Sequence, residues 1–327
     1  MKPDLDLDRL AYETLVDKAK TKSIWKDGVF LPEEYNRIAD AVENFEVRDD
    51  DVWVCSFQKS GTTWTQEMVW GVTHDADLET TKTYLNERFP FLEFTGIIIT
   101  ARVAMRENHP DLERWIYDSV NYCKDLPAPR HIKCHLPFNL LPRQIRTGEK
   151  KPKIVYVARN PKDVCVSFYH HSLLLEGYCG NFQQFCELFL GDRLNYAPYW
   201  NHVLGFWEKS KGMDNIMFIR FEDMKTNLPD VIRKTAAFYG KQLSDSQVNK
   251  LAEHLSFASM KKNPSLNKER TVEIISEMKV FGEHRPKGEF IRNGTVGQWK
   301  EKMSDETIAR FNKWIADNLK NHLDYKV

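Results

Sequence analysis

Val52-Trp53-Val54-Cys55 runs straight into Ser56-Phe57-Gln58-Lys59-Ser60-Gly61-Thr62-Thr63-Trp64, an apolar stretch of strand length followed by a loop around one glycine and a helical pattern. A buried strand that ends in this way turns its loop N–H groups inward around Gly61, and the next helix directs its positive dipole end at the same spot. The segment therefore predicts an anion site, with phosphate or sulfate as the expected guest. It is not the nucleotide loop G-x-x-x-x-G-K-[ST], because Lys59 precedes the glycine here.

Outward from this loop the pattern alternates. Strand-length apolar runs fall at 52–57, 130–134, 153–158 and 215–220, and helical patterns at 62–73, 111–124, 161–175 and 228–240. Strands separated by helices predict an α/β fold: a central, mostly parallel sheet flanked by helices on both faces, with a P-loop-like phosphosulfate-binding loop after its first strand. Ligands of such sheets sit beyond the carboxyl ends of the strands. Lys59, His135 and Arg159 follow the first, second and third strands. Residues 1–50 read as helical, with an acidic helix over 7–21 and another beginning near Pro32, both packed on the main body. No Pro-, Gly- or Ser-rich linker divides the 327 residues, so a single domain over 1–327 is expected.

The chain carries 47 basic and 47 acidic residues and no net charge, which leaves no global field for nucleic acid or an acidic membrane. Any anion site must be local. No segment approaches the length of a membrane span and the aspartate-rich start lacks an apolar leader core, so a cytoplasmic location is expected. The six cysteines form no C-x-x-C pair and read as reduced, buried thiols, and Asn293-Gly294-Thr295 is discounted as a glycosylation site.

Lys59 to Trp64 read K-S-G-T-T-W, and the stretch resembles the Y-P-K-S-G-T-T-W loop of the cytosolic sulfotransferases, in their insect-type form acting on phenols and alcohols. Phe57 and Gln58 stand where the family has Tyr and Pro, and Gln58 lacks the ring that would fix φ. Pro129-Arg130-His131-Ile132-Lys133-Cys134-His135-Leu136-Pro137 resembles P-R-x-x-K-T-H-L-P, which carries the family's catalytic histidine. The stretch from Tyr156 to His170, with Arg159 and Ser167, resembles the element holding the donor's 3′-phosphate. Arg220-Phe221-Glu222-Asp223-Met224 is similar to its Y-E-D-M element, with Phe221 for Tyr. Ser256 and Phe257 match its T-S-F motif, and Phe290-Ile291-Arg292-Asn293-Gly294 matches F-x-R-K-G except for Asn293 in place of Lys.

The resemblance implies sulfuryl transfer from 3′-phosphoadenosine 5′-phosphosulfate (PAPS) to an acceptor hydroxyl, with 3′,5′-bisphosphate (PAP) as co-product and no metal. It implies His135 as general base with Lys59 and Lys133 stabilising charge. Lys59, Ser60, Gly61, Thr62, Thr63, Trp64, Arg159, Ser167, Phe221, Ser256, Phe257, Arg292, Asn293 and Gly294 would hold the donor, with Trp64 stacked on the adenine. Phe57, Phe91, Phe94, Phe138, His171 and Phe281 are the candidate acceptor pocket for a small lipophilic phenol, steroid or retinoid-like alcohol, and 271–281 a helical lid over it. Aromatic core packing is the other reading of those rings, and a salt bridge to Asp163 that of Arg159. A nucleotide kinase and a non-catalytic binder stay open as alternative functions, as does elimination of the sulfated alcohol in the manner of a retinol dehydratase. The family's dimerisation pattern K-x-x-x-T-V-x-x-x-E is largely missing after Lys300, which leaves monomer or homodimer open.

Overall fold

Strands buried on both faces read as near-continuous apolar runs, and of the four central runs 52–55 and 154–158 do so throughout, while His131, Lys133 and Arg220 interrupt the other two. In the computed structural model, which describes residues 4–98, 113–277, 279, 281 and 288–327, these runs form β3 (Val52–Cys55), β4 (His131–Cys134), β5 (Lys153–Ala158) and β6 (Ile216–Arg220). They make one parallel sheet in the order β4-β3-β5-β6. Because the side-chain period is two, Trp53, Cys55, Ile154 and Tyr156 enter one core, and Val52, Val54, Val155 and Val157 enter another.

Each core has its own helical cover. The second is closed by α2 (Thr62–Thr73), α6 (Leu228–Phe238) and α7 (Asp245–His254), through Met68, Val69, Ile232 and Leu251. The first is closed by α3 (Pro161–His171), α4 (Phe182–Leu190), α5 (Tyr199–Gly212) and α10 (Asp305–Leu319), through Val164, Phe185, Trp200, Phe206 and Phe311. Two shorter helices, α8 (Phe257–Lys262) and α9 (Glu269–Glu277), follow α7. No helix among the described residues is long and apolar enough to cross a membrane.

Three expectations need correction. The N-terminal segment is not wholly helical: after α1 (Leu5–Glu13) it folds into an antiparallel hairpin of β1 (Ser23–Lys26) and β2 (Val29–Pro32). Asp27-Gly28 makes its two-residue turn with φ 49° and 80°, the positive values such a hairpin requires. Pro32 ends β2 and precedes the short turn Glu33–Arg37. The hairpin is tied to the body where Phe30 exchanges backbone hydrogen bonds with Ala197 and Tyr196, at 2.8 and 2.9 Å. Of the helix expected over 111–124, residues 111 and 112 lie outside the described residues, and the remainder is broken at Asp118 into Arg114–Tyr117 and Ser119–Asp125. The helix expected over 161–175 keeps α geometry only to His171, and Ser172–Glu176 continues as a wider π turn that Gly177 ends at φ 69°.

The two strands that carry the site begin at a buried ion pair. Arg130 donates from Nε and Nη2 to the two oxygens of Asp51 at 2.7 and 2.6 Å, and both side chains are almost wholly inaccessible. Removing one partner of such a pair leaves the other charge buried and alone. Asp51→Ala is expected to lower unfolding free energy by about 3–5 kcal/mol in urea titrations, with Asp51→Ala/Arg130→Met losing less than the single change.

Candidate active site at the carboxyl ends of the strands

β4, β3 and β5 lie side by side in parallel register, with Cys55 opposite both Cys134 and Tyr156. Their ends therefore fall at one edge, and Lys59, His135 and Arg159 meet there on the wall of one cavity. The loop after β3 turns sharply, with Lys59 at φ 64° and Gly61 at φ 108°. A Cβ at Gly61 would lie 2.7 Å from the Phe221 ring. Gly61 is also the N-cap of α2 and supplies no capping side chain, so the first N–H groups of that helix remain open to an anion. Thr62, Thr63 and Trp64 line the cavity beside it.

His135 is held by three of its own groups. Its backbone N–H donates to Glu93 Oε1 at 2.6 Å, and its carbonyl accepts from His202 Nε2 at 2.8 Å, leaving His202 Nδ1 to accept from Tyr156 at 2.9 Å. Its ring Nδ1 lies 2.7 Å from the Ser56 carbonyl. A carbonyl can only accept, so Nδ1 carries the proton and Nε2 keeps a lone pair. Burial, then Lys133, holds the imidazolium well below its ordinary pKa. The ring is therefore neutral at physiological pH.

Two lysines line the same cavity as this imidazole. Lys59 Nζ lies 4.1 Å from the centre of the Phe290 ring, and Lys133 Nζ the same distance from Phe91. Burial first, then Lys133 and Arg159, brings Lys59 down to about 7. Burial brings Lys133 to about 8 despite the nearby Glu93 carboxylate. Arg159 spans the loop and the C-terminal segment, donating to the Lys59 carbonyl at 3.4 Å and the Thr295 carbonyl at 3.1 Å. It does not take Asp163 as its direct partner: that carboxylate accepts the Gly297 N–H at 2.7 Å. Ser60 Oγ and Arg159 Nε are buried without a hydrogen-bond partner among the described residues. Unspent donors beside an open helix N-terminus suit a phosphorylated ligand.

Around this edge the cavity is lined by Ser167, Phe221, Phe257, Arg292, Asn293 and Gly294. Trp64 is fixed by a 2.9 Å bond from its indole N–H to the Leu255 carbonyl and meets Phe221 edge-on at 5.3 Å. A Cβ at Gly294 would lie 2.6 Å from the Phe257 ring. Ser256 stands behind this wall as the N-cap of α8. Of the six pocket candidates, Phe91, Phe94 and His171 line the cavity, together with Ile98, Leu174 and Leu175. Phe57, Phe138 and Phe281 do not. Phe57 continues the alternation of Trp53 and Cys55 into the core, against Phe168, Phe189 and Tyr199. Phe138 packs on Phe206, and Phe281 is buried in the same core. Thr271 of the expected lid does reach the cavity, as part of α9. No metal-ligating cluster of His, Cys, Asp and Glu exists among the described residues.

Sequence reasoning passed over Glu93, Ser56 and His202. Glu93 was visible as a lone acid inside Phe89-Pro90-Phe91-Leu92-Glu93-Phe94, since a carboxylate in an apolar run needs a buried partner. Burial raises it to about 7. The backbone bonds of Ser56 and His202 had no sequence signal.

The family model for the sulfotransferase domain matches residues 49–322. Luciferin sulfotransferase of Photinus pyralis is 42% identical over 287 residues, covering 87% of this chain and 76% of the relative. Two crystal structures of retinol dehydratase, one with androsterone and inactive cofactor PAP and one with retinol and PAP, superpose with TM-scores of 0.84 and 0.83. Both are 31% identical, and each comparison covers 100% of this chain and 97% of the other.

The lysine pKa values carry a binding signature. With Lys59 at about 7, most of its protons are gone at pH 8, and an anion bound beside it draws them back. Titration calorimetry of PAP at pH 8, in buffers of different ionisation heat, is expected to show uptake of roughly one proton, sharply reduced in Lys59→Met. Zero uptake would mean that Lys59 is already charged in the free protein.

Proposed function

From the premise that this chain belongs to the sulfotransferase domain family, we propose that it sulfates the hydroxyl of a small lipophilic acceptor with His135 as general base. The enzyme is a PAPS-dependent sulfotransferase. The observation that carries the base assignment is the bond from His135 Nδ1 to the Ser56 carbonyl, which leaves the Nε2 lone pair of a cavity-lining, neutral imidazole to take a proton.

In this reading His135 Nε2 removes the acceptor's proton as its oxygen attacks sulfur in line. Lys59 and Lys133 hold positive charge against the sulfuryl oxygens and the bridging oxygen, where charge grows as the S–O bond to the donor phosphate breaks. Ser60 and the N–H groups of Gly61, Thr62 and Thr63 receive the 5′-phosphosulfate end. Arg159, Ser167, Arg292, Asn293 and Gly294 take the 3′-phosphate, while Trp64 and Phe221, with Phe257, enclose the adenine and Ser256 shapes the turn behind it. Arg presents a planar fork for phosphate oxygens. PAP in both retinol dehydratase structures supports a donor of this kind. The donor supplies the activated sulfuryl group, and the chain supplies the group that takes the acceptor's proton and the cations that offset the growing charge.

Phe91, Phe94, Ile98, Leu174 and Leu175 give the other half of the cavity an apolar wall that suits a phenol, steroid or retinoid-like alcohol. A relative named for luciferin and two neighbours solved with androsterone and retinol support acceptors of this kind. Likeness to retinol dehydratase also favours a second outcome, in which the sulfated alcohol eliminates instead of leaving intact. Six unbonded thiols agree with a cytoplasmic setting. Transfer of labelled sulfate from PAPS to a panel of phenols, steroids and retinoids, with PAP followed in parallel, tests the proposal. Labelled product is expected, and PAP without labelled product would identify elimination or hydrolysis. His135→Ala is expected to lower kcat roughly 10²–10⁴-fold at unchanged PAP affinity, and wild-type turnover in that variant would refute the base.

A further inference from the structure

Lys268, just before α9, is buried to 8% exposure with its backbone at φ 61°, and it lines the same cavity. Its Nζ donates to Asn86 Oδ1 and lies 5.4 Å from the Tyr84 ring. Tyr84 in turn bonds Thr271 at 2.9 Å, and Leu85 N–H donates to the Ser265 carbonyl at 3.1 Å, so the strap 84–98 and the start of α9 form one wall. No carboxylate pairs with Lys268 among the described residues. The charges it feels most are Lys133, Lys59 and Arg88, all of its own sign.

A buried ammonium without an acid is costly, and the cost is relieved either by loss of its proton, toward which burial drives Lys268, or by an anion that enters beside it. Among the described residues, the two acids on the cavity wall act elsewhere. Glu176 accepts from Ser172 at 2.9 Å, leaves its second oxygen without a hydrogen-bond partner and acts on Lys59, and Glu289 pairs with Lys261 at 2.7 Å. The donor does not approach Lys268 in the reading above, because its phosphates belong to the loop after β3 and to Arg159 and Arg292. Lys268 instead stands on the wall of Phe91 and Phe94, which meet the acceptor.

We propose, on the basis of that sulfotransferase reading, that Lys268 selects acceptors carrying a carboxylate remote from the hydroxyl, so that the preferred substrates are hydroxylated carboxylic acids. The hydroxyl lies at His135 and the carboxylate at Lys268, with the apolar body of the molecule along Phe91 and Phe94. Asn86 holds the Nζ in place through its side-chain oxygen.

The test compares 3-(4-hydroxyphenyl)propionic acid with its amide and methyl ester as acceptors. The wild-type enzyme is expected to favour the acid in kcat/KM by roughly 10- to 100-fold. In Lys268→Met that ratio falls to near one, and Lys268→Arg restores part of it. Equal use of acid, amide and ester by the wild type overturns the proposal while leaving the transferase reading intact. So does a Lys268→Met loss that falls equally on all three or on PAP affinity. If none is sulfated, calorimetry of the acid against PAP-loaded protein decides: tighter binding of the acid than the amide, lost in Lys268→Met, supports Lys268, and its absence refutes it.

Discussion

The site depends on the parallel register of β3 between β4 and β5. With Cys55 opposite Cys134 and Tyr156, the first residue past β3, Ser56, is brought against the first residue past β4, His135. A one-residue slip would invert every side chain of the moved strand and exchange the two cores. It would also part the ring Nδ1 from the Ser56 carbonyl that fixes its tautomer. The Asp51–Arg130 pair secures the opposite ends of the same two strands. The chemistry is thus clamped from behind by structure that never meets a ligand.

Charge is the second constraint. A chain with no net charge concentrates Lys59, Lys133, Arg159, Lys268 and Arg292 on one cavity wall, against two acids among the described residues, Glu176 and Glu289, the second of them already paired with Lys261. Burial makes each of these cations cost free energy when the cavity holds no anion, and part of that cost is relieved by proton loss at the lysines. Bound anions reverse the balance. In the proposed reading, affinity for an anion comes from relief of an unfavourable arrangement as well as from new contacts.

Much of this was legible in the chain. The helix at 62–73 appears with its expected bounds because Gly61 marks its start with a conformation other residues resist. The strand at 153–158 was equally plain, since the apolar run that follows Lys153 in an α/β pattern has little else to become. The hairpin at Asp27-Gly28 was passed over, although Asp-Gly between apolar runs is a strong turn signal, because the acidic helix before it dominated the segment. Asp118 divides a helix whose periodicity looked continuous, and its neighbour Ser119 bonds Thr95 and the Leu92 carbonyl instead. The pocket aromatics were the least readable. Residue type says that Phe57, Phe138 and Phe281 are buried, while only strand parity and tertiary packing say which side of the sheet receives them. For Phe57 that parity was available, two residues beyond Cys55.

Phe290 has a further consequence. Its ring lies over Lys59 Nζ at 4.1 Å and meets His171 edge-on at 6.0 Å, so it touches both a donor-side lysine and an acceptor-side histidine. It belongs to the same stretch as Arg292 and Gly294, and Arg292 is braced by Gln298 at 2.7 Å. In the proposed reading this one stretch therefore walls both the nucleotide's part of the cavity and the part beside it. A change at Phe290 would therefore be felt on both sides of the cavity at once, by Lys59 and by His171 alike.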